Sequence, residues 1–182
     1  MVARALPAPL AQLPNALTLL RLALIPLFVG LMLADDPANW AGGLVFALAG
    51  ITDQVDGYLA RRWHVESQFG KVADPLADRL MIDAAALMLW LTGRLPWYAA
   101  LVILARDALM VAGYRLVVRR GYDFEVTRVG KLATWVLYAA IGLVLVTDDG
   151  VDWPVWLFWT GVALALVAAA QYVQKARREV AA

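Results

Sequence analysis

Four aspartates in two pairs, Asp53 with Asp56 and Asp74 with Asp78, stand within 26 residues of a chain that is otherwise mostly hydrocarbon. On a helix, spacings of three and four put both members of each pair on one face. At about 100° per residue, Gly57 and Ala60 fall on the side of the first pair, with Arg61 at its edge. Two carboxylates therefore share a face with two residues that have almost no side chain. A second helix beginning near Asp74 would bring the other two towards them. Four acids gathered in one place do not all stay ionised unless a cation lies among them. A donor set made only of oxygens suits Mg²⁺, Mn²⁺ or Ca²⁺ rather than Zn²⁺. The competing explanation is that acids near helix N-termini merely complement the macrodipole. It extends to Asp74, beside Pro75 at what reads as a first-turn position. It gives no reason for four acids in register with a glycine, an alanine and an arginine.

Composition restricts the chemistry to carboxylates and cations. The 182 residues are 63% hydrophobic, with a mean hydropathy of +0.67, which is outside the range of ordinary soluble domains. There is no cysteine, so disulfides, thiolate metal sites and a cysteine nucleophile are excluded. His64 is the only histidine, which removes a histidine-rich zinc site and argues against a Ser-His-Asp mechanism. Eight Trp and six Tyr, many at the edges of apolar runs, fit aromatic belts at a bilayer interface.

The elements that must position these residues are six apolar runs, each near the 17–25 residues needed to cross about 30 Å of hydrocarbon. Residues 1–13 read as an interfacial segment interrupted by prolines, without the pattern of a signal peptide. Asn15 is a candidate N-cap for a first helix over 16–33. Further helices are expected over 40–63, 74–92, 97–118, 129–146 and 153–173, with a short polar turn over 64–71 and a polar tail over 174–182. The expected fold is an all-α integral membrane protein, a single domain over 1–182 with six transmembrane helices. Arg61, Arg62 and Lys71, five bases within 115–131, and Lys175, Arg177 and Arg178 fall on one side. Asp35, Asp36, Asp148, Asp149 and Asp152 fall on the other, with Arg94 as the basic exception. The positive-inside rule then places the aspartates and both termini in the cytoplasm.

The pattern D-x-x-D-G-x-x-A-R-x(8)-G-x-x-x-D-x-x-x-D is complete as Asp53, Asp56, Gly57, Ala60, Arg61, Gly70, Asp74 and Asp78. It resembles the signature of the CDP-alcohol phosphatidyltransferases, integral membrane enzymes of phospholipid synthesis. The likeness extends more weakly to PNALTLLR at 14–21 and VGKLAT at 129–134. The resemblance implies a CDP-linked lipid donor, CDP-diacylglycerol, an alcohol acceptor, release of CMP, and one or two Mg²⁺ or Mn²⁺ ions. It implies Asp53, Asp56 and Asp74 as the principal metal ligands. Asp78, fourth in the motif, becomes the candidate to take the acceptor's proton and a candidate ligand of a second metal. Gly57 and Ala60 would let the nucleotide approach the helix, Gly70 would allow a close or strained backbone passage, and Arg61 would fork onto phosphate oxygens. Small residues such as Gly57 and Ala60 also serve close helix packing in membranes. A homodimer in the bilayer is implied by resemblance alone, and no nucleic-acid partner is indicated.

The acceptor side is less constrained. Arg128 and Lys131, three apart at the start of the fifth helix, are placed to receive an anion or simply to set topology. Arg106 lies deep in the fourth helix, where a charge is paired or functional, with Asp83 and Asp107 as candidate partners. Arg21 reads either as a headgroup contact or as a base snorkelling to the interface. PNALTLLR and the Gly-Lys pair resemble phosphatidylglycerophosphate synthases, whose acceptor is glycerol 3-phosphate. Those enzymes show G-K-x-K-T, and Ala133 stands here in place of the second lysine. The departure leaves cardiolipin synthesis, with phosphatidylglycerol as acceptor, as the alternative. Outside the enzyme class, six short helices with intramembrane charges could form a cation-coupled transporter or a membrane scaffold.

Overall fold

The computed structural model describes residues 8–34, 40–63, 68–118, 127–148 and 150–180. Within these spans, side chains 8–15, 56–61, 63, 68–76, 78, 110–118, 172–173 and 175–180 lie outside the description. Six α-helices make up the described chain: α1 (Ala8–Leu33), α2 (Trp40–Trp63), α3 (Gln68–Leu91), α4 (Trp97–Val118), α5 (Arg128–Val146) and α6 (Trp153–Val180). No strand occurs among the described residues.

Three boundaries depart from the sequence expectation. Helix α1 starts at Ala8, so Asn15 is interior and does not cap it. Pro9 falls in the first turn, where a missing N–H costs nothing, and Pro14 removes only one interior bond. Helix α3 starts at Gln68, which puts Gly70 in its first turn and Asp74 beyond it. Helix α6 runs on to Val180, because Gln, Lys, Ala and Arg continue a helix readily.

Three helices contain a window both long and apolar enough to cross a membrane among the described residues: Ala16–Leu33, Arg128–Val146 and Trp153–Gln171. Helices α2, α3 and α4 are 24, 24 and 22 residues long, sufficient in length. They carry the charges, with Asp53, Asp56, Arg61 and Arg62 on α2 alone. Many large apolar side chains face outward, including Leu44, Leu48, Ile51, Leu109 and Trp135. Such a surface is unusual in water and ordinary under lipid.

The chain divides into two compact units, Met1–Met88 and Leu89–Ala182. In the first, α1 and α2 form an antiparallel hairpin whose register is fixed by two contacts. Phe28 meets Phe46 with ring centroids 6.1 Å apart. Two turns away, further from the hairpin loop on both helices, Arg21 meets Asp53. Phe28, Met32, Val45, Phe46 and Ala49 are buried along this hairpin. Helix α3 buries Ala77, Met81, Ile82, Ala85 and Ala86, a stripe at helical spacing.

The second unit opens with the end of α3, a Schellman cap. Gly93 at φ 76° donates to the Trp90 carbonyl, and the Arg94 amide donates to Leu89. Helix α5 is capped by Thr127, whose Oγ1 accepts from the Gly130 amide at 3.1 Å. It packs on α6, and Leu137, Ala140, Ile141 and Val144 of α5 and Phe158, Val162 and Ala165 of α6 are buried. Gly161 lies directly beneath Leu137. Tyr98 near the start of α4 stacks on Trp159 near the start of α6, at 5.6 Å. Trp97, Trp153 and Trp156 stand exposed at the same helix ends, as interfacial aromatics do.

Candidate metal centre and active site

The first half of the motif occupies the last turns of α2, and the second half lies in the early and middle turns of α3. Every motif position therefore has helical backbone. Asp53 and Asp56 share a helical face three residues apart, and Asp74 and Asp78 share one four apart. The side chains of Asp56, Ala60, Arg61, Asp74 and Asp78, and the surroundings of Gly57 and Gly70, lie outside the described residues. Asp53 is described, and its side chain is 25% exposed.

Two expectations change with the boundaries. Asp74 is the seventh residue of α3, past the first turn, so capping and helix-dipole stabilisation no longer account for it. Gly70 sits in helical backbone, so it makes no strained passage; what distinguishes it is the absence of a side chain.

Arg21 neither reaches a headgroup nor snorkels. It is buried, at 0% exposure, and its Nη1 lies 2.7 Å from Asp53 Oδ1. Sequence alone does not make this pairing, although a signal exists. Arg21 lies twelve residues before the end of α1 and Asp53 thirteen after the start of α2, so a short hairpin brings them level. Thr18, one turn earlier on α1, is also buried.

In the second unit, Arg106 Nη1 lies 3.3 Å from Asp107 Oδ1, and both side chains are almost completely buried. Successive helical residues do not face one another, but the length of arginine closes the gap. Asp83, the other partner considered, belongs to the first unit and is half-buried. Arg128 and Lys131 are exposed at the start of α5. Cations there oppose the helix dipole, so helix stability is not what places them. Ala133, where a related motif would carry lysine, is fully buried. Arg94 is no free topological charge: its guanidinium donates to the Leu145 carbonyl at 3.1 Å and to the Thr147 carbonyl, closing the C-terminus of α5.

An oxygen-donor cation fits what is present. Asp53 pairs with the Arg21 guanidinium through Oδ1 and accepts from Gln54 Nε2 at 3.4 Å through Oδ2, with a quarter of its side chain exposed. At the fixed motif positions the candidate ligands are all carboxylates; His64, in the gap between Arg61 and Gly70, lies outside the described residues.

The CDP-alcohol phosphatidyltransferase family matches residues 11–167. A protein of Bacillus subtilis named CDP-diacylglycerol–glycerol-3-phosphate 3-phosphatidyltransferase is 34% identical, over 90% of this chain and 94% of its own. A Streptomyces coelicolor protein named cardiolipin synthase (CMP-forming) is 38% identical, over 93% and 85%. A Mycobacterium tuberculosis protein named probable phosphatidylglycerophosphate synthase is 35% identical, over 95% and 85%. With a match that spans most of its length and a complete aspartate motif on two successive helices, this chain belongs to the CDP-alcohol phosphatidyltransferase family.

Proposed function

We propose that this protein transfers the phosphatidyl group of CDP-diacylglycerol to glycerol 3-phosphate and releases CMP. The observation that carries the reading is the intact two-helix aspartate motif in a chain similar along most of its length to relatives named for that reaction. Asp53, Asp56 and Asp74 would hold one or two Mg²⁺ or Mn²⁺ ions, with Asp78 as a shared ligand. The ion, when bound, supplies charge neutralisation for the diphosphate and stabilises developing charge on its oxygens. Gly57 and Ala60 leave α2 open to the nucleotide, and Arg61 meets the phosphates. Asp78 accepts the acceptor's hydroxyl proton as oxygen attacks the lipid-side phosphorus, and the bond to CMP breaks.

Arg128 and Lys131 are the proposed contacts for the acceptor's phosphate, on their resemblance and their exposure at the start of α5. For Arg106, the ion pair with Asp107 favours a structural role over an acceptor contact. Six spans with both termini in the cytoplasm, the site at the cytoplasmic interface, and a homodimeric assembly complete the reading. The two hairpins, α1–α2 and α5–α6, suit such threading.

Ala133 supports a second reading. The position is a core site and offers no lysine to an anionic acceptor, which favours phosphatidylglycerol and a cardiolipin product. Purified protein with CDP-diacylglycerol, offered glycerol 3-phosphate, phosphatidylglycerol, inositol phosphate or serine, decides by the lipid formed. Metal-dependent CMP release with glycerol 3-phosphate is expected. A product made only from phosphatidylglycerol selects the second reading, and no CMP release with any acceptor removes both.

A further inference from the structure

Arg21 lies outside the aspartate motif, on a different helix, yet it is bonded to the first residue of that motif. The guanidinium is wholly buried while Asp53 keeps a quarter of its side chain exposed. It therefore grips the carboxylate from the interior side. Burying a guanidinium is unfavourable, and an ion pair with no further role can often be replaced by apolar residues without loss of stability. The hairpin also has another anchor, the Phe28–Phe46 contact two turns away, so its register does not depend on Arg21.

We infer that Arg21 is a positioning residue for the metal centre: from the interior side it fixes the Asp53 carboxylate through Oδ1, while Oδ2 accepts from Gln54 at 3.4 Å, and so it orients the ligand that the metal reading assigns to the divalent ion. This rests on the metal reading proposed above. Outer groups that orient a metal ligand typically change affinity by about 10–100-fold when removed. Electrostatics alone predicts the reverse, because deleting a fixed positive charge beside a cation site should tighten cation binding. The sign of the change therefore separates positioning from simple charge.

The test is Mn²⁺ binding to the purified full-length protein without substrate, followed by the electron paramagnetic resonance signal of free Mn²⁺. Arg21→Gln should weaken binding about tenfold or more, and Arg21→Lys should recover part of the loss, since an ammonium keeps the charge without the guanidinium's reach and geometry. Unchanged or tighter binding by Arg21→Gln, with thermal stability lowered or not, overturns the inference and leaves Arg21 a helix-packing ion pair. If Arg21→Gln does not fold, Arg21→Lys decides: affinity equal to that of the unmodified protein overturns the inference. If the unmodified protein binds no Mn²⁺, the metal reading itself fails, and the inference falls with it.

Discussion

Replacing Gly161 tests the packing of the α5–α6 hairpin quantitatively. A Cβ built on Gly161 would lie 2.8 Å from Leu137 Cγ and 3.1 Å from the Leu137 backbone nitrogen. Ordinary carbon contacts are about 3.5–4.0 Å. Leu137 is fully buried, so its side chain has little room to turn, and the backbone nitrogen cannot turn at all. The two helices must separate by several tenths of an ångström. Overpacking of this kind costs about 1–3 kcal/mol. Gly161→Ala regains about 1 kcal/mol in helix propensity, leaving a net loss of roughly 0–2 kcal/mol. Gly161→Val adds two more methyl groups and regains less, so about 2 kcal/mol or more should be lost. In a chain of this size that lowers Tm by about 4–8 °C. Eight tryptophans make intrinsic fluorescence in detergent a suitable readout. A double variant with Leu137→Ala should be less destabilised than the sum of the two single variants, by about 1 kcal/mol. A Gly161→Val protein as stable as the original, or strict additivity in the double variant, would refute the close contact.

Other consequences are testable in the same preparation. Asp78→Asn should lower the rate of CMP release by about 10²-fold or more while CDP-diacylglycerol binding persists; normal turnover would take Asp78 out of the proton-accepting role. EDTA should abolish CMP release and Mg²⁺ or Mn²⁺ restore it, and activity indifferent to the chelator would contradict the metal reading. Arg94→Met removes two charge-assisted bonds to the end of α5 and should cost about 2–3 kcal/mol, read as a lower Tm with turnover per folded molecule retained. Arg106→Met leaves Asp107 buried beside a lost partner and should destabilise by about 3–5 kcal/mol; adding Asp107→Leu should recover much of it. A raised KM for the acceptor in that stable double variant would restore Arg106 to the acceptor pocket.

Much of this was legible in the residues because the strongest signals are local. Trp40, Trp63 and Pro96–Trp97 bracket α2 and the start of α4, and the structure follows them. The motif was readable because its spacing is helical. What the sequence concealed were effects of context. Pro14 and Pro75 read as helix limits, but each removes only one interior bond from a helix whose neighbours carry it through. Arg94 counted as a loop charge until its guanidinium was found on the α5 carbonyls, an interaction across 51 and 53 residues of sequence. Arg21 likewise needed a partner from another helix, and only the hairpin register supplies one.

The bond between Arg21 and Asp53 also bears on how the chain enters a bilayer during synthesis. A lone arginine or aspartate in a membrane-bound helix is resisted at the translocon, by at most about 2.5–3.5 kcal/mol, the cost that applies at the helix centre. Helix α1 is apolar enough to enter with its arginine, whereas the charged α2 is poorly suited to enter alone. Released together as a hairpin, the two helices present a neutral pair in place of two opposed ions. Helix α2, which carries Asp53 and Asp56, would in this sense be a passenger of the one before it, brought to the membrane by the same contact that holds Asp53.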